Sequence, residues 1–353
     1  MDIDKLLAYA VENKASDTHI TVGFPPTLRI DGKLEPLDLP KLTAEDTEKM
    51  VMHLLRFRGK KDVLLRDGEV DFSYGIPSVG RFRVNVFKQR GTFAAAIRTV
   101  TVGIPTLDEL KLPPVLKSLA QNVRGLILIT GPTGSGKSTT LAAMIDLINS
   151  QRSCHILTLE DPIEYLHKHK NSIVNQREIG PDSKSFASAL RAALREDPDV
   201  ILVGEMRDLE TISIAITAAE TGHLVLSTLH TVGAAETIDR IIDVFPPHQQ
   251  EQIRVQLANV LKGVVSQQLL KLQTGRGRIV ATEVMVTTPA ISNLIREGKS
   301  HQIHSMIQTG SKYGMHSMDM NLAELYKRGL IDRQQAINYA QDQEAIRKLL
   351  EID

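Results

Sequence analysis

Nine consecutive residues, Gly131-Pro132-Thr133-Gly134-Ser135-Gly136-Lys137-Ser138-Thr139, fit the pattern GxxxxGK[ST] of a phosphate-binding P-loop. The chemistry follows from the residue types. Glycines at these spacings let the backbone wrap so that successive N–H groups point at phosphate oxygens, and a helix opening at the loop favours negative charge there. Lys137 is expected to reach the β- and γ-phosphates, and the Ser138 hydroxyl to ligate Mg²⁺. The loop marks a nucleoside-triphosphate site.

Three other clusters follow apolar runs and could serve the same reaction. Glu160-Asp161-Pro162-Ile163-Glu164 comes directly after residues 155–159, and the carboxylates of Glu160, Asp161 and Glu164 either hold Mg²⁺ through water or position a hydrolytic water. The run 200–203 ends in Gly204-Glu205-Met206-Arg207-Asp208 and resembles a Walker B strand, with glycine where an aspartate usually precedes the glutamate. Glu205 is the expected residue to orient or deprotonate the attacking water. In the third cluster, His223 precedes the run 224–227 and His230 follows it. His230 is predicted to sense the γ-phosphate, and His223 is a second catalytic candidate.

Charge developing in phosphoryl transfer calls for arginines, which a ring assembly often supplies from a neighbouring subunit. In residues 81–87, period-two alternation places Arg81, Arg83 and Asn85 on one face and Phe82, Val84 and Val86 on the other. The polar face reads either as a solvated surface or as an arginine finger, and Arg98 is a further candidate. Arg191 and Arg195 share a helix face, where a local ion pair and a catalytic role at Arg195 are both open.

These residues need elements to carry them. Residues 125–130 read as a buried strand delivering into the loop, and 139–149 as a helix leading away, with Leu141, Met144, Ile145 and Ile148 on one face. Strand-like runs separated by helices continue beyond it, which predicts a largely parallel sheet covered on both faces, with chemistry at the carboxyl ends of its strands. Residues 1–100 differ: a short amphipathic helix, then strand-like pieces at 18–22, 27–30, 70–74, 81–87 and 91–100 between turns such as Asp31-Gly32. That texture predicts a small α+β domain. The expected division is 1–100, a linker at 101–118, an α/β nucleotide domain at 119–288, and a helical C-terminal appendage at 289–353.

Composition narrows the function classes. The chain has 353 residues, 42 basic against 42 acidic, no tryptophan, 4% aromatics and one cysteine, Cys154. Balanced charge and scarce aromatics argue against a nucleic-acid partner. One cysteine excludes internal disulfides and any cysteine-rich zinc site. With no apolar run long enough to span a bilayer and no signal peptide at the N-terminus, the expected location is the cytoplasm.

The P-loop, Glu160-Asp161-Pro162-Ile163-Glu164, Leu194-Arg195-Glu196-Asp197-Pro198-Asp199, Val203-Gly204-Glu205-Met206-Arg207-Asp208 and Thr217-Ala218-Ala219-Glu220-Thr221-Gly222-His223 together resemble the type II/type IV secretion ATPase superfamily. Within it the chain is similar to the type IV pilus retraction motors. Those motors are marked by an AIRNLIRE-type helix. Here Ala290, Ile291, Asn293, Leu294, Ile295, Arg296 and Glu297 match it, and Ser292 replaces the arginine. Pilus-extension relatives carry a longer N-terminal region and a four-cysteine zinc site, which this chain lacks; extension or secretion, and a non-hydrolysing regulator of another motor, are the alternative readings. The resemblance implies a PAS-like N-terminal domain joined to a RecA-like ATPase domain, a homohexameric ring, ATP and Mg²⁺ as ligands, and an inner-membrane pilus platform protein as partner. The chain would be only peripherally associated with the cytoplasmic face of that membrane.

Overall fold

Two sheets of different character divide the chain, and the apolar pattern of their strands explains the difference. The computed structural model describes residues 2–30, 32–56, 60–100, 103–275 and 277–351; Asp31 of the expected turn and Thr101 and Val102 of the expected linker lie outside them. Contacts group the chain into a first unit, Met1–Gly103 with Pro162–Leu166, and a second, Ile104–Asp161 with His167–Asp353.

The first unit runs α1 (Ile3–Glu12), β1 (Asp17–Ile20), β2 (Thr27–Ile30), β3 (Lys33–Pro36), α2 (Ala44–Leu54), α3 (Lys60–Asp67), β4 (Glu69–Ile76), β5 (Gly80–Gln89) and β6 (Thr92–Thr99). Its sheet has the order β3-β2-β1-β6-β5-β4, with every neighbouring pair antiparallel. One face is apolar: Phe82, Val84 and Val86 of β5 are fully buried and pack with Leu6 and Leu7 of α1 and Met50, Val51 and Leu54 of α2. Strand β3 and helices α2 and α3 were not expected from sequence. A signal for α2 was present, because Thr43 and Asp46 form a reciprocal capping box at its start.

The second unit continues α4 (Val115–Ala120), β7 (Gly125–Thr130), α5 (Lys137–Gln151), β8 (His155–Glu160), β9 (Ile173–Glu178), α6 (Phe186–Ala193), β10 (Val200–Val203), α7 (Leu209–Glu220), β11 (Leu224–Leu229), α8 (Ala234–Asp243), α9 (Pro247–Val260), β12 (Leu261–Lys271) and β13 (Arg278–Val286). It closes with α10 (Pro289–Arg296), α11 (Ile303–Thr309), α12 (Met318–Lys327), α13 (Arg333–Tyr339) and α14 (Gln343–Glu351). The sheet order is β13-β12-β7-β11-β10-β8-β9, parallel throughout except for the antiparallel β12–β13 pair at one edge. Strands buried on both faces need apolar side chains at every position. Successive residues of β7 accordingly feed opposite cores: Leu126 and Leu128 pack with α6–α9, Ile127 and Ile129 with α4 and α5.

The expected helical appendage is corrected by these cores. Ile291 and Ile295 of α10 and Ile303 and Ile307 of α11 share the core of α6–α9. Met318 and Leu322 of α12 pack on Leu270 and Ile279 of β12 and β13. The C-terminal helices are part of the second unit, because they bury their apolar faces in its cores.

Candidate functional site

The P-loop begins where β7 ends. Gly131 sits at φ 138°, and a Cβ there would lie 2.2 Å from the Gln267 carbonyl oxygen of β12, so only glycine fits. Gly134 and Gly136 also take positive φ, and Gly136 is the N-cap of α5. The first N–H groups of α5 have no intrahelical acceptor, and no acidic residue stands in its first turn. Lys137 is nearly buried and folds back over the loop, its Nζ donating to the carbonyls of Gly131 and Pro132, both at 2.9 Å. The Ser135 hydroxyl is buried in the loop without a hydrogen-bond partner. A cradle of N–H groups, one ammonium and an unsatisfied hydroxyl suits a polyphosphate.

Beside the loop lies a cavity of about 360 Å³, lined by Ser135, Gly136, Thr139 and Thr140 on one side and by Leu110, Leu269 and Ile279 on the other. Gln267 lines it too: its Nε2 donates to Thr140 Oγ1 at 2.8 Å, and its buried Oε1 has no partner. A larger cavity of about 620 Å³, between residues 108–115 and α12, contains none of the strand-end residues.

Glu205 follows β10 at the same carboxyl edge. Its carboxylate lies 2.7 Å from Arg207 Nε and 3.4 Å from His230 Nε2, and the Glu205 side chain is 17% exposed. Neighbouring strand ends are tied together around it: Ser227 Oγ donates to the Val203 carbonyl, Thr228 Oγ1 to the Gly204 carbonyl, and the Met206 N–H to the Thr228 carbonyl. These bonds fix the end of β10 against the end of β11, so Glu205 and His230 meet. Arg207 was not singled out from sequence, although it stands two residues beyond Glu205. The glycine in place of the Walker B aspartate also has a cause. A Cβ at Gly204 would lie 3.1 Å from the Leu159 carbonyl oxygen and 3.4 Å from Glu160 Cα.

Glu160 ends β8 on the same edge, accepting from Thr158 Oγ1 at 2.6 Å and Gln176 Nε2 at 3.1 Å. Asp161 and Glu164 are exposed, and Glu164 belongs with the first unit. Among the described residues no three His, Cys, Asp or Glu side chains gather around a possible metal position.

His223 is a different case. It precedes β11, whose Leu224 is level with Gly125 at the amino end of β7, whereas Leu229 is level with Thr130 beside the P-loop. Six strand residues separate His223 from that edge, roughly 20 Å. Its Nδ1 lies 2.9 Å from the Ala218 carbonyl and caps the end of α7. Within its own chain the histidine stands at the edge away from the P-loop.

Arg83 and Arg98 face each other across β5 and β6. Arg98 is bound to Asp17 at 3.0 Å, with Arg29 also near it. Burial pushes the Asp17 carboxyl up, but the Ser16 hydroxyl and Arg98 outweigh it and leave the carboxyl below its usual range. Arg83 is exposed and Arg81 half-buried. Exposed Arg195 donates to the Arg191 carbonyl, while Arg191 pairs with Glu210. In α10, Ile291 and Ile295 point into the core and Leu294 is partly buried against it; Ala290, Asn293, Arg296 and the following Glu297 are exposed. Arg296 is steadied by Asn293 at 2.6 Å, and Glu297 pairs with Lys299. No helix among the described residues is long and apolar enough to cross a membrane.

Comparison with known proteins places the chain in a family. The family described as Type II/IV secretion system protein matches residues 1–335. The chain is 50% identical over 336 residues to the Type IV pilus retractation ATPase PilT of Pseudomonas aeruginosa, covering 95% of this chain and 97% of that one. It is 50% identical over 321 residues to a twitching motility protein of Neisseria gonorrhoeae, covering 91% and 86% of the two chains. Its backbone is similar to a crystal structure of the pilus retraction motor PilT with bound ADP, with a TM-score of 0.91, 52% identity and 99% of both chains covered.

Proposed function

The chain belongs to the Type II/IV secretion system protein family, and from that premise we propose that it is an ATP-hydrolysing motor powering type IV pilus retraction. The observation that carries the hydrolytic part is the convergence, at one sheet edge, of the P-loop with Glu205, His230 and Arg207. Gly131 to Thr139 hold the phosphates, with Lys137 shifting from the Gly131 and Pro132 carbonyls to the β- and γ-oxygens. The cavity beside the loop takes the nucleoside. Glu205 orients the attacking water and accepts its proton as the oxygen bonds to the γ-phosphorus and ADP departs.

His230 senses the phosphate through Glu205. Ser138 would hold Mg²⁺, with Glu160 and Asp161 acting on it through water, and the ion would supply positive charge against that of the phosphates. Arginines from the first unit (Arg81, Arg83 and Arg98) complete the site from a neighbouring subunit of a homohexameric ring. Arg98 must leave Asp17 to do so, and Arg83 is the least engaged of the three. The exposed side of α10, Ala290, Asn293, Arg296 and Glu297, acts in coupling to retraction, with a membrane platform protein at the cytoplasmic face as the partner.

ATP turnover of Lys137→Ala and Glu205→Ala tests the enzyme, with losses of roughly two orders of magnitude or more expected in both. Near-wild-type rates would sink the reading and leave a nucleotide-binding regulator. Cells lacking the protein should be hyperpiliated and unable to twitch; normal pili and motility would refute retraction.

A further inference from the structure

Strand β12 serves two neighbours at the level of the P-loop. Gln267 reaches Thr140 of α5, and Ser266, on the opposite face, accepts the Gly233 N–H through its Oγ at 3.0 Å. Directly across on β13 stands Glu283, 2% exposed, whose Oε1 accepts the Ala234 N–H at 2.8 Å. Gly233 is the N-cap of α8 and has no side chain to cap with. The N–H of the N-cap and the first N–H of the helix are therefore held by side chains of β12 and β13. Burial pushes the Glu283 carboxyl up, while the Ala234 N–H, His304 and the Met318 N–H at the start of α12 oppose this. Gly233 lies three residues after His230, whose ring meets Glu205.

We propose that Glu283, with Ser266, is a positioning residue for ATP hydrolysis: by fixing the first turn of α8 it holds the 230–233 turn so that His230 stays on Glu205. Neither residue lines the cavity beside the P-loop. Its effect therefore falls on turnover and leaves nucleotide affinity alone. The inference rests on Glu205 and His230 acting on ATP.

Steady-state turnover and ATP-analogue affinity of the full chain carrying Glu283→Ala, Glu283→Gln or Ser266→Ala test it. Glu283→Ala should lower kcat roughly tenfold, since small misplacements of reacting groups are costly, with KM and analogue affinity within about twofold. Glutamine keeps an acceptor oxygen for the Ala234 N–H and should restore kcat to within about twofold. Ser266→Ala should show the same split at roughly threefold. Wild-type kcat in Glu283→Ala, affinity lost in step with kcat, or Glu283→Gln as slow as Glu283→Ala each overturns the proposal. If Glu283→Ala does not fold, Ser266→Ala decides, and an unchanged kcat there overturns it. Wild-type turnover of Glu205→Ala would instead sink the hydrolytic reading itself.

Discussion

His223 and His230 bracket a single strand, and the sheet gives them opposite fates. His230 emerges at the carboxyl edge, where the ends of β7, β10 and β11 bring it to Glu205 and the P-loop. His223 stays at the amino edge and closes the last turn of α7. Seven positions in sequence become the length of a strand, from one edge of the sheet to the other. In a parallel sheet the direction of the strand decides which of two identical side chains can reach the chemistry.

The comparison breaks first at His230. His230→Ala should lower kcat about a hundredfold, because the group beside Glu205, the proposed water-activating carboxylate, is lost. His223→Ala should leave kcat within about twofold. Equal losses in the two single-site variants, read by ATP turnover, would mean that His223 works in another subunit's site.

Gly204→Asp tests the edge from the other side. It restores the usual Walker B residue but forces a side chain against Leu159 and Glu160, and should cost about 2 kcal/mol in denaturant unfolding. Unchanged stability would show that β8 can give way.

Acid should loosen the same edge. Burial holds the His167 imidazole at a pKa of about 4, with Asp146 raising it and Lys170 lowering it to a smaller extent. The His167 backbone N–H also donates to Gln176 Oε1, and Gln176 Nε2 bonds Glu160. Its folded pKa lies below the ordinary 6.5, so the unfolded chain takes up the proton first as pH falls. That stability is complete above about pH 6.5 and is lost on the way down to about pH 4, with about 2 kcal/mol gone between pH 7 and pH 5. His167→Gln should flatten the dependence, as followed by chemical denaturation at the two pH values. The smallest effect belongs to the amino edge: His223→Ala should cost about 1 kcal/mol of stability through the lost helix cap.

What the sequence made legible was local. Glycine spacing located the P-loop, and the apolar runs ending in Glu160 and Glu205 announced strand ends, because each signal lies within ten residues. Register was not legible. That β11 lies level with β7 separates His223 from the site, and the close approach of Leu159 favours Gly204. Nothing local marks Ser266 or Glu283 as caps for a helix some 30 and 50 residues earlier. The helix α10 matched a known pattern, but its sharing of the main core depended on long-range packing that periodicity alone does not reveal.

Pro162–Leu166 leaves the second unit and returns to the first before β9 begins. The polypeptide therefore passes between the two units three times, at Gly103, Asp161 and Leu166. Neither unit can be cut out as one uninterrupted stretch. A truncation at residue 104 would strand five residues without the fold they belong to, and a chimera that exchanged only the first 103 residues would pair the new sheet with the old segment. The two units have to be exchanged, or evolve, as a matched set.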